Sequence, residues 1–210
     1  LANRLVTEEF VNKTNNLPFI FRVHDYPSEE KIGELKSILS FFGYQFKKNK
    51  KITSKTFQSL IEKIKNNPYK NILNDLIIRS MAKAVYSTEN IGHFGLGFKY
   101  YTHFTSPIRR YPDLVVHRLL EKQLINKTKP SLNQKILSNI ALHSSETERR
   151  AMEIEREAIK RKQIQFLQNK TDLIFKAVIY NIVEFGFFIE IPEYTITGLV
   201  HIKNLTDDYY

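Results

Sequence analysis

Apolar residues at Leu1, Leu5, Val6, Phe10 and Val11 recur at helical spacing, so residues 1–14 are expected to form an amphipathic helix. The next apolar stretch differs in kind. Leu17-Pro18-Phe19-Ile20-Phe21-Arg22-Val23-His24 is short, β-branched and aromatic, which fits a buried strand. Pro27-Ser28 opens a second helix. Ser28 is its cap, Lys31 holds the third position, Ile32, Leu35, Ile38 and Leu39 make the buried stripe, and Gly43 ends it. Two more helices are expected over 54–66 and 69–86, separated by Asn66-Asn67-Pro68, and then a glycine-spaced strand through His93–Tyr101. Pro112 suits the first position of a helix reaching to Ile125, because its missing N–H costs nothing there.

From Ser131 to Gln168 the helical period is long and nearly unbroken. Pro130 precedes it, Ser131 and Gln134 have capping-box spacing, and His143-Ser144-Ser145 is its weakest point and a candidate bend. A straight helix of this length would measure on the order of 55 Å. After Lys170-Thr171 the period changes to alternation. Val178, Tyr180 and Ile182, then Phe185–Ile191, then Gly198–Ile202 read as three strands. The fold class expected is therefore α+β, a mostly helical first part followed by a small β unit.

Composition narrows the partners. The 210 residues are 42% hydrophobic, enough to bury a core, and carry a net charge of +10. That excess favours an anionic partner, and the interspersed aromatic residues favour nucleic acid over a membrane surface. The absence of cysteine excludes disulfides and thiolate metal sites and is compatible with the cytoplasm, the expected location. No apolar stretch approaches the roughly 20 residues a membrane helix needs, and none reads as a signal peptide. The chain starts at Leu1 and stops at Tyr210 just after a strand-like run; both ends read as cut, as expected of a fragment.

The densest chemistry lies in Tyr101–Leu114, where adjacent guanidinium groups, hydroxyls and aromatic rings precede a helix. Guanidinium forks match phosphate oxygens and aromatic faces stack on bases, so the mixture suits single-stranded nucleic acid. The same composition also fits a surface loop ahead of an ordinary helix. Asp113 is open to three readings: a helix cap, a pair with a neighbouring Arg, or direct chemistry. His117 reads as a satisfied helix histidine. His93, His103 and His117 match no strong zinc-ligand spacing. Gly92–Gly97 spell GHFGLG, which is neither a dinucleotide fingerprint nor a Walker motif and reads better as close backbone packing. The lysines from Lys47 to Lys51 form either a solvated loop or a phosphate-tracking patch, and the charges of Glu148–Glu157 read as an i,i+4 bridged helix surface.

The string HFTSPIRRYPDLVVHRLL, with Gly92–Gly97 upstream and Arg22-Val23-His24-Asp25-Tyr26-Pro27 near the start, closely resembles the signature of the RNB ribonucleases. These are the ribonuclease R and ribonuclease II family of processive 3′-to-5′ exoribonucleases, and the details around His103 and Arg110–Asp113 sit closer to ribonuclease R. The resemblance implies that residues 1–169 are the C-terminal part of an RNB catalytic domain. It implies that 170–210 open an S1-type OB-fold, a truncated β-barrel. The implied reaction is hydrolysis of single-stranded RNA to nucleoside 5′-monophosphates.

The resemblance also implies roles for particular residues. Arg109 is the catalytic candidate, clamping a non-bridging phosphate oxygen. Ser106, Arg110, Glu155 (or its neighbours Glu153 and Glu157), Phe185, Phe188 and His201 are the RNA-binding candidates. Mg²⁺ or Mn²⁺ would be held by an aspartate cluster upstream of this region. Here Asp25, Asp75, Asp113 and Asp172 are scattered, so no metal ligand is expected within the chain and the polypeptide alone is expected to be inactive. Single-stranded RNA is the implied partner, with the ribosome or the RNA-degradation machinery as further candidates. The competing reading is a non-catalytic RNA-binding protein on the same fold; a weaker one is a basic helical module for duplex DNA.

Overall fold

In the computed structural model the rings of Phe10 and Phe19 stack with centroids 4.3 Å apart, and a first core closes around them. The structure describes residues 1–14, 17–45, 52–126, 128, 133–168, 170 and 172–205. Among these, Leu1–Arg150 and Ala151–Tyr210 form two units. The expected lysine patch at Lys47–Lys51 and the cap at Ser131 lie outside the described residues.

The first core draws on five elements: helix α1 (Ala2–Thr14), strands β1 (Phe21–Val23) and β2 (Val85–Ser87), helix α5 (Tyr111–Leu120) and the beginning of helix α6 (Gln134–Gln168). Periodicity explains the helical part: Phe10 of α1 and Val115, Val116 and Leu119 of α5 all reach the interior. A second core joins α2 (Glu29–Phe41), α3 (Ser54–Ile64) and α4 (Lys70–Ser80) through Ile32, Leu35, Leu39, Phe57, Leu60, Ile64, Leu73 and Ile77. Ser28 caps α2 as expected, its hydroxyl accepting from the Lys31 N–H at 3.4 Å. Phe94 enters this second core edge-on to Phe57, centroids 5.9 Å apart.

Several expectations are corrected. The helix expected over 69–86 stops at Ser80; Met81 turns extended, and Val85–Ser87 become β2, antiparallel to β1 with Arg22 opposite Tyr86. The β-branched and aromatic pair Val85-Tyr86 finds a partner strand there, and tertiary pairing overrides the local helical pattern. β1 itself is three residues long, and just ahead of it the Ile20 carbonyl accepts from the Thr102 hydroxyl at 2.7 Å.

His93–Tyr101 is not a strand. Gly92 and Gly97 adopt φ of 80° and 69°, and the chain folds back through a 3₁₀ turn, Phe94–Leu96, with His93 N–H donating to the Phe98 carbonyl at 2.8 Å. α5 relaxes into a π-helical turn, Glu121–Ile125. α6 runs without interruption through His143–Ser145, because the Ser145 hydroxyl donates back to the Ala141 carbonyl at 2.8 Å and accepts from the Tyr86 N–H at 2.9 Å. The hydroxyl is spent on stitching α6 to β2 rather than on opening the helix.

In the second unit, the three expected strands, β3 (Val178–Val183), β4 (Gly186–Ile191) and β5 (Ile196–His201), form an antiparallel sheet in the order β3-β4-β5. A bulge lies between Ile179 and Asn181. Gly186 permits the tight β4–β5 approach: a Cβ there would stand 2.2 Å from the Val200 carbonyl oxygen. The C-terminal half of α6 meets this sheet through Phe166 and Tyr194, centroids 5.0 Å apart, with the Lys170 ammonium 4.2 Å from the Phe166 ring.

Candidate nucleic-acid interface

The Ser106 carbonyl accepts from the backbone N–H groups of Arg109 (3.3 Å) and Arg110 (3.0 Å), which closes a tight turn just ahead of α5. Asp113, in the first turn of α5 and 0% exposed, ties that turn down. Its Oδ1 accepts from the Ser106 N–H at 2.9 Å and from Arg110 Nη2 at 2.8 Å. Of the three readings open for Asp113, the geometry displays the pair with a neighbouring Arg. The helix N-terminus adds a favourable field for the carboxylate.

One cation of the adjacent pair is therefore neutralised and the other is not. Arg109 is exposed and its guanidinium has no ion pair or hydrogen bond among the described residues. Ile108 beside it is fully exposed at 102%. The turn thus presents a free planar cation on a fixed backbone, as recognition of a phosphate requires.

Behind the turn runs a row of rings. Arg22 makes a two-point ion pair with Glu148 at 2.6 and 3.1 Å, and its guanidinium lies 4.6 Å from the centre of the Tyr86 ring. The Tyr86 hydroxyl and His103 Nδ1 share a 2.8 Å hydrogen bond. Tyr101 stands edge-on to His103 and to His93, and His93 packs against His24 with centroids 5.1 Å apart. Burial, reinforced by the nearby Arg110 and Arg22, pushes His103 down to about 4. Burial, with His24 and Arg22 beside it, does the same to His93. Burial pushes the Tyr86 phenol up to about 12 even though Arg22 opposes the shift. At neutral pH these three rings are uncharged.

His24 is buried between the Ala82 carbonyl, 2.7 Å from Nε2, and the Gly95 N–H, which donates to Nδ1 at 2.7 Å. Only an imidazole protonated at Nε2 satisfies both, so His24 fastens the glycine loop to β1. His117 Nε2 lies 2.9 Å from the Phe104 carbonyl and its ring stacks on Phe104 at 4.1 Å. Among the described residues no group of three or more His, Asp or Glu side chains gathers as a metal ion requires. The described residues thus form no metal cradle.

On the second unit, Phe185 is 49% exposed and its ring lies 6.3 Å from that of His201. Gly186 pairs with His201 across β4–β5, so Phe188, two residues on, shares a face with His201. Phe188 is half-buried against Tyr180 at 6.2 Å. Phe187 is half-buried too, while Phe185 is more open than an inward-pointing ring would be. The arrangement offers ring faces on which bases can stack.

The model of the RNB domain matches residues 1–126, and that of the S1 RNA binding domain matches residues 169–210. The chain belongs to the RNB family. Ribonuclease R of Thermotoga maritima is 45% identical to it over 214 residues, covering 100% of this chain and 30% of that protein. The structure of Mycoplasma genitalium RNase R in complex with ribose methylated single-stranded RNA superposes with a TM-score of 0.85 and 32% identity, over 99% of this chain and 33% of that one. Yeast Ssd1, a pseudonuclease, superposes with a TM-score of 0.79 and 28% identity, over 95% of this chain and 25% of its own. The chain thus spans about a third or less of the length of these relatives.

Within this RNB chain the site residues read from the sequence fall into three places. Ser106, Arg109 and Arg110 share the turn held by Asp113. Phe185, Phe188 and His201 gather on the S1 portion. Glu155 is exposed on α6 in the second unit, as are Glu153 and Glu157. The expected i,i+4 bridges along α6 are absent among the described residues; Glu148 turns to Arg22 instead. That pair went unread because its members lie 126 positions apart, and no local spacing signals it.

Proposed function

We propose that this chain acts as part of a ribonuclease R-like 3′-to-5′ exoribonuclease that hydrolyses single-stranded RNA processively to nucleoside 5′-monophosphates. The observation that carries this reading is the free guanidinium of Arg109, exposed on a turn whose other cation is tied to buried Asp113, in a chain of the RNB family. Arg109 would hold non-bridging oxygens of the scissile phosphate with its two-pronged fork and stabilise charge as it develops there. Ser106 and Arg110 shape the turn and so fix where that fork stands. Phe185, Phe188 and His201 would stack on bases of the incoming strand, and Glu155 would line its path. Mg²⁺ or Mn²⁺, held by carboxylates outside these 210 residues, would supply the charge and the activated water.

The test compares the 210-residue chain with a longer polypeptide that includes the portion of its relatives preceding this one. Labelled single-stranded RNA with Mg²⁺ is expected to be bound but left intact by the chain alone, and shortened from its 3′ end by the longer protein. Progressive mononucleotide release by the chain alone would overturn the division of labour.

A second reading has one observation in its favour, the superposition on a pseudonuclease at a TM-score of 0.79. Under it the longer protein binds RNA through the same surfaces without cutting it. The coding sequence upstream separates the two: closely spaced aspartates favour the nuclease, and their loss favours the binder.

A further inference from the structure

We infer that His103 contacts the RNA strand, donating its Nε2–H to a backbone oxygen, either of a phosphate or of a ribose. Its partner fixes which ring nitrogen carries the proton. Tyr86 is buried, and its hydroxyl has His103 Nδ1, 2.8 Å away, as its one hydrogen-bond partner among the described residues. A phenol O–H shut away from water must donate to that partner, and Nδ1 accepts only while it carries no proton itself. Burial together with Arg110 and Arg22 disfavours a second proton on the ring at neutral pH. The single ring proton is therefore held on Nε2, a tautomer set by the fold rather than shared between the two nitrogens.

That proton faces outward. Nε2 has no partner among the described residues, and it is not one of the buried side-chain atoms left without a hydrogen bond. The half-buried ring thus turns Nδ1 inward to Tyr86 and Nε2 to solvent. The backbone on both sides is anchored. The Thr102 hydroxyl donates to the Ile20 carbonyl at 2.7 Å, the Phe104 N–H donates to Asn3 Oδ1 at 3.3 Å, and the Phe104 carbonyl lies 2.9 Å from His117 Nε2. Tyr86 and Tyr101 stand edge-on to the ring at 5.6 and 5.9 Å, which limits its rotation. Three residues on, Ser106 opens the turn that presents Arg109, and the Arg110–Asp113 pair that holds this turn is close enough to act on the imidazole. A neutral donor of fixed direction so near an exposed cation suits one continuous backbone. The guanidinium meets the charge of a phosphate, and the imidazole meets a further oxygen without adding a second charge.

The inference deepens the RNA-directed reading above and rests on it, yet one half of its test needs no RNA. Long-range ¹H–¹⁵N spectra of the 210-residue chain with labelled histidine should show His103 as the Nε2–H tautomer at pH 7, its signals assigned by their loss in His103→Phe. Tyr86→Phe keeps the ring on which Arg22 rests but removes the hydroxyl, and should let the Nδ1–H form appear. Adding a short single-stranded oligoadenylate should shift the His103 Nε2 resonance. His103→Phe should weaken that RNA by roughly fivefold, the scale of one neutral hydrogen bond. His103→Gln, whose amide can place an N–H where Nε2 stood, should recover part of the loss. A packing role predicts the opposite order, because phenylalanine is the closer match to the ring. The deoxy form of the same oligonucleotide separates the two oxygens: a loss equal for both strands assigns a phosphate, and a loss confined to RNA assigns the ribose 2′-hydroxyl.

An Nδ1–H tautomer in the free chain overturns the donor, and so does His103→Phe binding RNA as well as the parent or better than His103→Gln. If RNA shifts the amides around Phe185 and His201 while the His103 imidazole stays still, His103 drops out and the RNA-binding reading survives. If no part of the chain responds to RNA, that reading fails and this inference with it.

Discussion

Arg22 and Glu148, 126 positions apart, meet in a two-point ion pair that pins the long helix α6 to the short strand β1. The Arg22 side chain is only 12% exposed and leans on the Tyr86 ring, so it has little water to fall back on. Removing its partner leaves a largely buried cation unpaired, whereas the partly exposed Glu148 loses less. Glu148→Ala is expected to destabilise the chain by roughly 2 kcal/mol. Urea unfolding of the variant beside Glu153→Ala checks this. Glu153 is exposed and unpaired among the described residues, so equal midpoints for the two variants would show that the pair contributes nothing.

The Asp113 carboxylate is fully buried and serves the Ser106 N–H and Arg110 together. Asp113→Ala should cost about 3–5 kcal/mol, as breaking a buried pair does, because Arg110 is left without its counter-charge. Asp113→Asn keeps an acceptor for the Ser106 N–H and should cost less. In the longer protein Asp113→Asn should slow turnover more than it weakens RNA binding, since the turn that aims Arg109 loosens while the stacking face of the S1 portion is untouched. Thermal unfolding and single-turnover kinetics measure the two effects separately.

The row of rings gives the chain a pH dependence whose sign can be worked out. His93 and His103 are held down at about 4 in the folded state, against an ordinary value of 6.5. The unfolded chain therefore takes up protons first as pH falls. The stability these residues provide is intact above about pH 6.5 and is lost progressively as pH drops towards 4. Tyr86, pushed up to about 12 from 10.0, contributes stability that is intact below about pH 10 and lost as pH rises through 12. Urea midpoints measured from pH 7 to pH 4.5 should fall steadily. His103→Phe should be less stable at pH 7, having lost the bond to Tyr86, but show a shallower decline. A slope identical to the parent's would remove His103 from the account.

These features differ in how plainly they stood in the sequence, and the reason is range. The Arg110–Asp113 pair spans three positions at a helix start, a spacing that a reading of local chemistry detects. The stripe Ile32, Leu35 and Leu39 announces itself by period, and β4 by its short aromatic and β-branched run. β2 was hidden because Val85-Tyr86 prolongs an apolar helical pattern, and only pairing with β1 tells the two apart. His93–Tyr101 reads as a strand because glycine spacing does not disclose the sign of φ. The Arg22–Glu148 pair and the Tyr86–His103 bond needed the fold before they could exist.

Arg109 offers the sharpest test of the proposed chemistry. Lysine keeps the charge but lacks the planar fork, and an ammonium cannot donate to two phosphate oxygens in the same fixed geometry. In the longer protein Arg109→Lys should therefore lower turnover by roughly 10²-fold or more, the scale of losing one oxyanion donor. Affinity for single-stranded RNA should change little, because the proposed stacking residues Phe185, Phe188 and His201 would still hold the strand. Phe185→Ala is the counterpart, expected to weaken RNA binding by about 1–3 kcal/mol through lost stacking while sparing the chemical step once RNA is saturating. If Arg109→Lys instead lowers affinity and turnover in equal measure, the guanidinium is a binding contact, and the part assigned to the exposed turn at 106–109 has to move elsewhere in the protein.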